Sequence, residues 1–167
     1  PKRFFSKTQQ DLEISIKASK SFEIKSSNKE ALEKGNLIHA ILAKVYSFRD
    51  VDCVVKSFFD RGLVSSYDSK EITNVINSIV SHPKLISFFM DDIKIYNERE
   101  ILTKNNEIII PDRLILQSDK SAVIIDYKTG GISKIHEDQL DHYASAVKSL
   151  GYRIDKKILI YIYPQLN

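Results

Sequence analysis

The apolar positions of the chain change period near residue 93. Before it the spacing is helical. Apolar residues at 31, 38, 41, 42 and 45 run through "ALEKGNLIHAILAKVY", and Ser27 with Glu30 three places on makes a capping box ahead of them. Val51, Val54, Val55, Phe58 and Phe59 mark the face of a second helix, which Gly62 is placed to end. Ile72, Val75, Ile76, Ile79 and Val80 mark a third, opened by a capping box of Asp68 and Glu71 and broken by Pro83. After the proline, "KLISFFM" predicts a short helix. Upstream of all of these, "LEISIKA" alternates as a short strand does.

Beyond residue 93 the runs are β-rich and of strand length: "IKIYNEREIL", "EIIIPDRLIL", "AVIIDY" and, near the end, "KILIYIY". Between the last two, Leu140, Tyr143, Val147 and Leu150 share one face of a helix over 133–150, with Gly151 as terminator. Helices, three strands, helix and strand predict one α/β domain with a mixed sheet. Two hairpins are followed by a helical crossover to a last strand that can pair in parallel. Residues 1–26 are read as an N-terminal extension, and 27–167 as the domain, helical in its N-terminal part.

Composition narrows the function classes. The chain has 167 residues, is 43% apolar and carries a net charge of +3, too small to argue for nucleic acid on charge alone. A single cysteine, Cys53, excludes an internal disulfide and any four-cysteine metal or iron–sulfur site, and is expected to pack as a small hydrophobe. No apolar run reaches the roughly 18 residues of a membrane span, so no membrane partner is expected. The start at Pro1, with its basic-aromatic "PKRFFSK", predicts a piece of something longer.

Candidate chemistry concentrates where strand meets turn. "IIIPDRLIL" and "AVIIDYK" are separated by "QSDK", and a turn centred on Asp119 sets residue 112 opposite residue 126. Asp112 and Asp126 would then share one sheet face, and Lys128 joins them by the period of two. Paired carboxylates repel unless a cation lies between them, so this hairpin points to a divalent-metal site, with Mg²⁺ or Mn²⁺ favoured by oxygen ligands. A surface hairpin with a solvated Asp–Lys pair is the equal alternative on these residues alone. Pro111 lacks a ladder donor and predicts a bulge or an edge just before Asp112. Two i, i+4 pairs extend the pattern: Gly35 with His39, the glycine allowing close approach of backbone or substrate, and Gln139 with Tyr143.

In order, "GNLIH", a Glu in "NEREIL", "PDRLIL", "IIDYKTG" and "QLDHY" resemble the successive motifs of the RecB-type nuclease domain, found in RecB and AddA, of the PD-(D/E)xK superfamily. The resemblance covers roughly residues 30 to 163 and implies a restriction-endonuclease-like core: a mixed central sheet flanked by helices. It further implies that His39, Asp112, Asp126 and the Tyr127 carbonyl bind Mg²⁺ or Mn²⁺, and that Lys128 orients the attacking water and stabilises phosphate charge. Gln139 and Tyr143 would hold the phosphate backbone and Lys128. The remaining acidic position falls on Glu98 or Glu100, with Glu98 preferred because an apolar residue follows three places on. The implied function is a metal-dependent deoxyribonuclease, the exonuclease module of a bacterial, cytoplasmic helicase–nuclease in double-strand-break repair. Its partners would be a DNA end, the helicase part of the same parent chain and a second subunit. Rival readings are an inactive DNA-binding module of the same fold and a stand-alone nuclease of the CRISPR-adaptation kind, whose iron–sulfur cluster Cys53 alone cannot build.

Overall fold

The change of period is where the chain passes from helices into sheet. A computed structural model describes residues 11–18 and 28–164. It contains β1 (Asp11–Ala18), α1 (Asn28–Leu42), α2 (Val51–Asp60), α3 (Ser66–Val80), β2 (Lys94–Asn97), β3 (Ile101–Leu102), β4 (Ile108–Ile109), β5 (Arg113–Leu116), β6 (Ser121–Thr129), α4 (Lys134–Ser149) and β7 (Arg153–Pro164). Ser27 of the expected capping box and "PKRFFSK" lie outside the described residues.

Five strands form a mixed sheet in the order β1-β7-β6-β5-β2. β2, β5 and β6 are antiparallel neighbours; β6, β7 and β1 run parallel. Parallel neighbours cannot be joined by a tight turn, and α4 supplies the crossover from β6 to β7. β3 and β4 pair apart from this sheet as a small hairpin. The result is an α/β fold with a mixed central sheet flanked by helices. One layer of core packs α1, α2 and α3 against Ile125, Tyr127, Ile158 and Ile160; the other packs α4 against Ile124, Leu159 and Tyr161. β6 is covered on both faces, which is why its sequence is a continuous apolar run rather than an alternating one.

The hairpin register is the expected one: Arg113 pairs with Ile125, Leu114 with Ile124, Ile115 with Val123 and Leu116 with Ala122. The run "EIIIPDRLIL" nevertheless breaks in two. Pro111 has no N–H to give, and the chain leaves β4 at Ile109 and re-enters the sheet only at Arg113, so the ladder stops one residue short of Asp112.

Several local expectations are corrected. α1 ends at Leu42, so Val45 is buried from a loop rather than a helix. α3 is capped by Ser65, whose hydroxyl accepts from the Asp68 N–H at 3.0 Å and donates to the Asp68 carboxylate at 2.6 Å, one turn ahead of the Asp68–Glu71 box. Cys53 is exposed on the outer face of α2 instead of packed. Within the stretch read as an extension, β1 pairs along its whole length with β7 and contributes Ile14 and Ile16 to the core. Among the described residues no helix is long and apolar enough to cross a membrane.

Candidate active site

At the C-terminal end of β6 the side chains diverge by the period of two. Ile125 and Tyr127 enter the core under the first three helices, while Asp126 and Lys128 turn to the α4 side. Asp126 is only 3% exposed. The Lys128 ammonium stands 2.6 Å from Asp126 Oδ2, a nearly buried ion pair. Lys128 also donates to Gln139 Oε1 at 2.8 Å, and Gln139 Nε2 donates to the Tyr143 hydroxyl at 3.0 Å. The i, i+4 pair on α4 therefore orients the lysine. Gly130, at φ 143°, lets the chain leave β6 and turn towards the Ser133 cap of α4.

Asp112 joins this network from the residue just ahead of β5. Its carboxylate takes the Tyr127 N–H at 2.8 Å, replacing a ladder acceptor where β5 no longer runs beside β6. A strand residue points its N–H and C=O to the same neighbour, so the Tyr127 carbonyl faces the Asp112 side as well. The Asp112 backbone carbonyl accepts from the Glu98 N–H at 3.0 Å, and Glu98 sits in the left-handed region at φ 45°. From α1, His39 Nδ1 comes within 3.5 Å of Asp112 Oδ1, and the imidazole meets the Tyr127 ring edge-on at 6.1 Å between centroids. Donor atoms of His39, Glu98 and Asp112 lie within 4.8 Å of one another, among the described residues. Asp126 stands beside this cluster, turned to Lys128. Glu100 is turned elsewhere and lines an apolar groove with Ile101 and Leu116, so of the two acidic candidates it is Glu98 that approaches the site.

Gly35 has a concrete task. A Cβ built there would lie 2.4 Å from Thr129 Oγ1, so the glycine lets α1 close onto the end of β6, and through it His39 onto Asp112. The close approach foreseen is thus made by a strand side chain.

The electrostatics follow from this crowding. Burial, reinforced by the charge of Asp112, pushes the Asp126 carboxyl up to about 6 even though Lys128 pulls it down. The Asp112 carboxylate raises His39 above its ordinary value against the opposing effect of burial. Burial and then the Asp126 charge raise Tyr143. Lys128 and His39 offset part of the negative charge gathered by Asp112 and Asp126. An imidazole nitrogen beside the Glu98 and Asp112 carboxylates, with the buried Asp126 carboxylate next to them, is a donor set suited to a divalent first-row cation.

Sequence reasoning passed over Arg113. It is fully buried and donates to the carbonyls of Val45, Tyr46 and Phe88. A charged residue followed by "LIL" on a core strand was the available signal. His136 and His142 are tied down structurally, with His136 Nδ1 3.1 Å from the Tyr161 hydroxyl and His142 Nε2 2.8 Å from Glu107. Lys157 lies inside β7 and pairs with Asp11 and Asp141. Compared with known proteins, the chain matches no protein-family model and no curated protein.

Proposed function

We propose that this chain is a metal-dependent deoxyribonuclease with a PD-(D/E)xK core of the RecB type. The observation that carries the reading is the meeting of five separate segments at one end of β6. His39, Glu98 and Asp112 converge there within 4.8 Å, directly beside the Asp126–Lys128–Gln139–Tyr143 network. A structural role alone does not account for so many acidic groups gathered where each raises the cost of the next.

His39, Glu98, Asp112 and Asp126, with the Tyr127 carbonyl, would hold Mg²⁺ or Mn²⁺, and the imidazole among the ligands favours Mn²⁺. When bound, such an ion lowers the pKa of a water and neutralises charge on a phosphoryl oxygen. The chain's own residues do the remaining work. Asp126 holds the Lys128 ammonium at the edge of the cluster, where Lys128 orients the nucleophilic water and stabilises negative charge as it grows on the phosphate. Gln139 keeps Lys128 from swinging into solvent, and Tyr143 fixes the Gln139 amide. The substrate is DNA, and the parent is a helicase–nuclease that delivers a DNA end to this site.

The test is a cleavage assay on linear DNA with Mn²⁺, Mg²⁺ and EDTA. Mn²⁺ should support cutting, EDTA should abolish it, and Asp112→Ala, Asp126→Ala and Lys128→Ala should each cost at least about a hundredfold, the scale of losing one stabilising group in a transition state. DNA that is retained but uncut under every metal condition would identify an inactive binding module instead.

A further inference from the structure

Arg113 is a charged side chain set in the core. Its guanidinium is 0% exposed and has no carboxylate within salt-bridge distance among the described residues. Its direct partners are dipoles and a ring face, with the Asp50 charge acting from further off. Nη1 donates to Val45 O at 2.8 Å and Asn97 Oδ1 at 3.3 Å; Nη2 donates to Tyr46 O at 2.6 Å and Phe88 O at 2.8 Å. The Phe89 ring lies 4.0 Å beneath the guanidinium carbon. Burial lowers the arginine below its ordinary value, with the Tyr127 side chain acting in the opposite direction. Asn97 completes the knot, its amide donating back to the Ala43 and Val45 carbonyls at 3.2 and 3.3 Å.

Stability alone is a poor reason for this arrangement. Removing an ion from water costs several kcal/mol, and apolar residues of similar volume often serve a core as well or better. What an arginine adds is a rigid planar fork that fixes several acceptors at once. The segments it fixes carry the site. Arg113 is next in sequence to Asp112, Asn97 is next to Glu98, and Val45 and Tyr46 follow the helix that carries His39.

We infer that Arg113 is a positioning residue, whose guanidinium sets the spacing of His39, Glu98 and Asp112 by binding together the three segments that bear them. The inference rests on the metal-nuclease reading for its purpose, though not for its geometry. Lysine, a single point donor on a flexible stem, cannot span the same acceptors.

The test uses the full chain in two variants, Arg113→Lys and the milder Asn97→Ala, with three readouts. These are thermal melting, Mn²⁺ titration by calorimetry, and the NOE between the His39 and Tyr127 rings in metal-free protein. Asn97→Ala should melt cooperatively, bind Mn²⁺ at least about tenfold more weakly than wild type, as loss of support behind metal ligands typically does, and show a weakened NOE. Arg113→Lys should show the same two losses. A residue that served stability only would lower the melting temperature and leave the Mn²⁺ affinity and the NOE of the folded protein at wild-type values; that result overturns the inference. If wild-type protein takes up no Mn²⁺, the metal reading falls, and the metal-free NOE still decides the role of Arg113.

Discussion

At Asp126 the demands of fold and chemistry oppose each other. Its carboxyl is nearly closed off from water and faces Asp112, so the charged form is disfavoured and the group titrates at about 6 instead of 3.8. A carboxyl raised in this way favours folding most at low pH, and its contribution is lost as pH rises through about 6. Asp126→Asn should therefore raise the melting temperature of metal-free protein at pH 8 and leave it nearly unchanged at pH 4. The gap between 3.8 and about 6 corresponds to at most about 3 kcal/mol, less whatever the lost Lys128 ion pair contributed. A rise of about 3–8 °C by differential scanning fluorimetry is expected. A lower melting temperature at pH 8 would mean that the Lys128 pairing outweighs the repulsion from Asp112. Gln139 acts one step further out, through Lys128. Gln139→Leu should slow DNA cleavage by about tenfold to a hundredfold, less than Lys128→Ala, because the ammonium keeps its Asp126 partner. Equal losses in the two variants would place Gln139 on the substrate itself.

Among the elements, α1 shows how one missing side chain sets a site. An alanine at Gly35 would gain about 1 kcal/mol of helix propensity. It would also drive a Cβ to 2.4 Å from Thr129 Oγ1, and overpacking of this kind costs typically about 1–3 kcal/mol. The steric term wins, so Gly35→Ala should lower the melting temperature by a few degrees and weaken Mn²⁺ binding by lifting His39 away from Asp112. Adding Thr129→Ala removes the clashing oxygen and should recover both, leaving the double variant at least as stable as wild type. If the double variant is no better than Gly35→Ala alone, α1 is seated by something other than this contact. The break between β4 and β5 is the other local device. Pro111 ends the ladder, which frees the Asp112 carboxylate to cap the Tyr127 N–H instead of being committed to a strand face.

Over the whole molecule, the crowded carboxylates are a load on the fold, which a cation bound as proposed would relieve. His39, raised by Asp112, favours folding at low pH in the same sense as Asp126, its share being lost as pH rises past its elevated value. Both groups must be deprotonated to act as ligands. Metal-free protein should thus be more stable at pH 5 than at pH 8, while Mn²⁺ should stabilise it more at pH 8 than at pH 5. At a hundred times its dissociation constant Mn²⁺ contributes about 2.7 kcal/mol, which is roughly 5–10 °C in melting temperature. An Mn²⁺ effect of the same size at both pH values would remove the proton-linked carboxylate and imidazole from the ligand set.

The amino-acid sequence by itself determined the order and type of the main elements, the hairpin register about Asp119 and the convergence of Asp112, Asp126 and Lys128. These depend on local periodicity and turn chemistry, which operate over a few residues. It also carried the Gln139–Tyr143 pair, because i, i+4 spacing on a helix is a local rule. Only the tertiary structure decided the rest. That Glu98 and not Glu100 reaches Asp112 depends on a left-handed residue at the mouth of the β3–β4 hairpin. That β1 belongs to the sheet depends on pairing with β7, at the opposite end of the chain. That Cys53 faces out, that Gly35 serves Thr129, and that Arg113 gathers carbonyls from three segments are all matters of distant contact. No local pattern encodes them, because the groups that satisfy each residue meet only when the helices close onto the sheet.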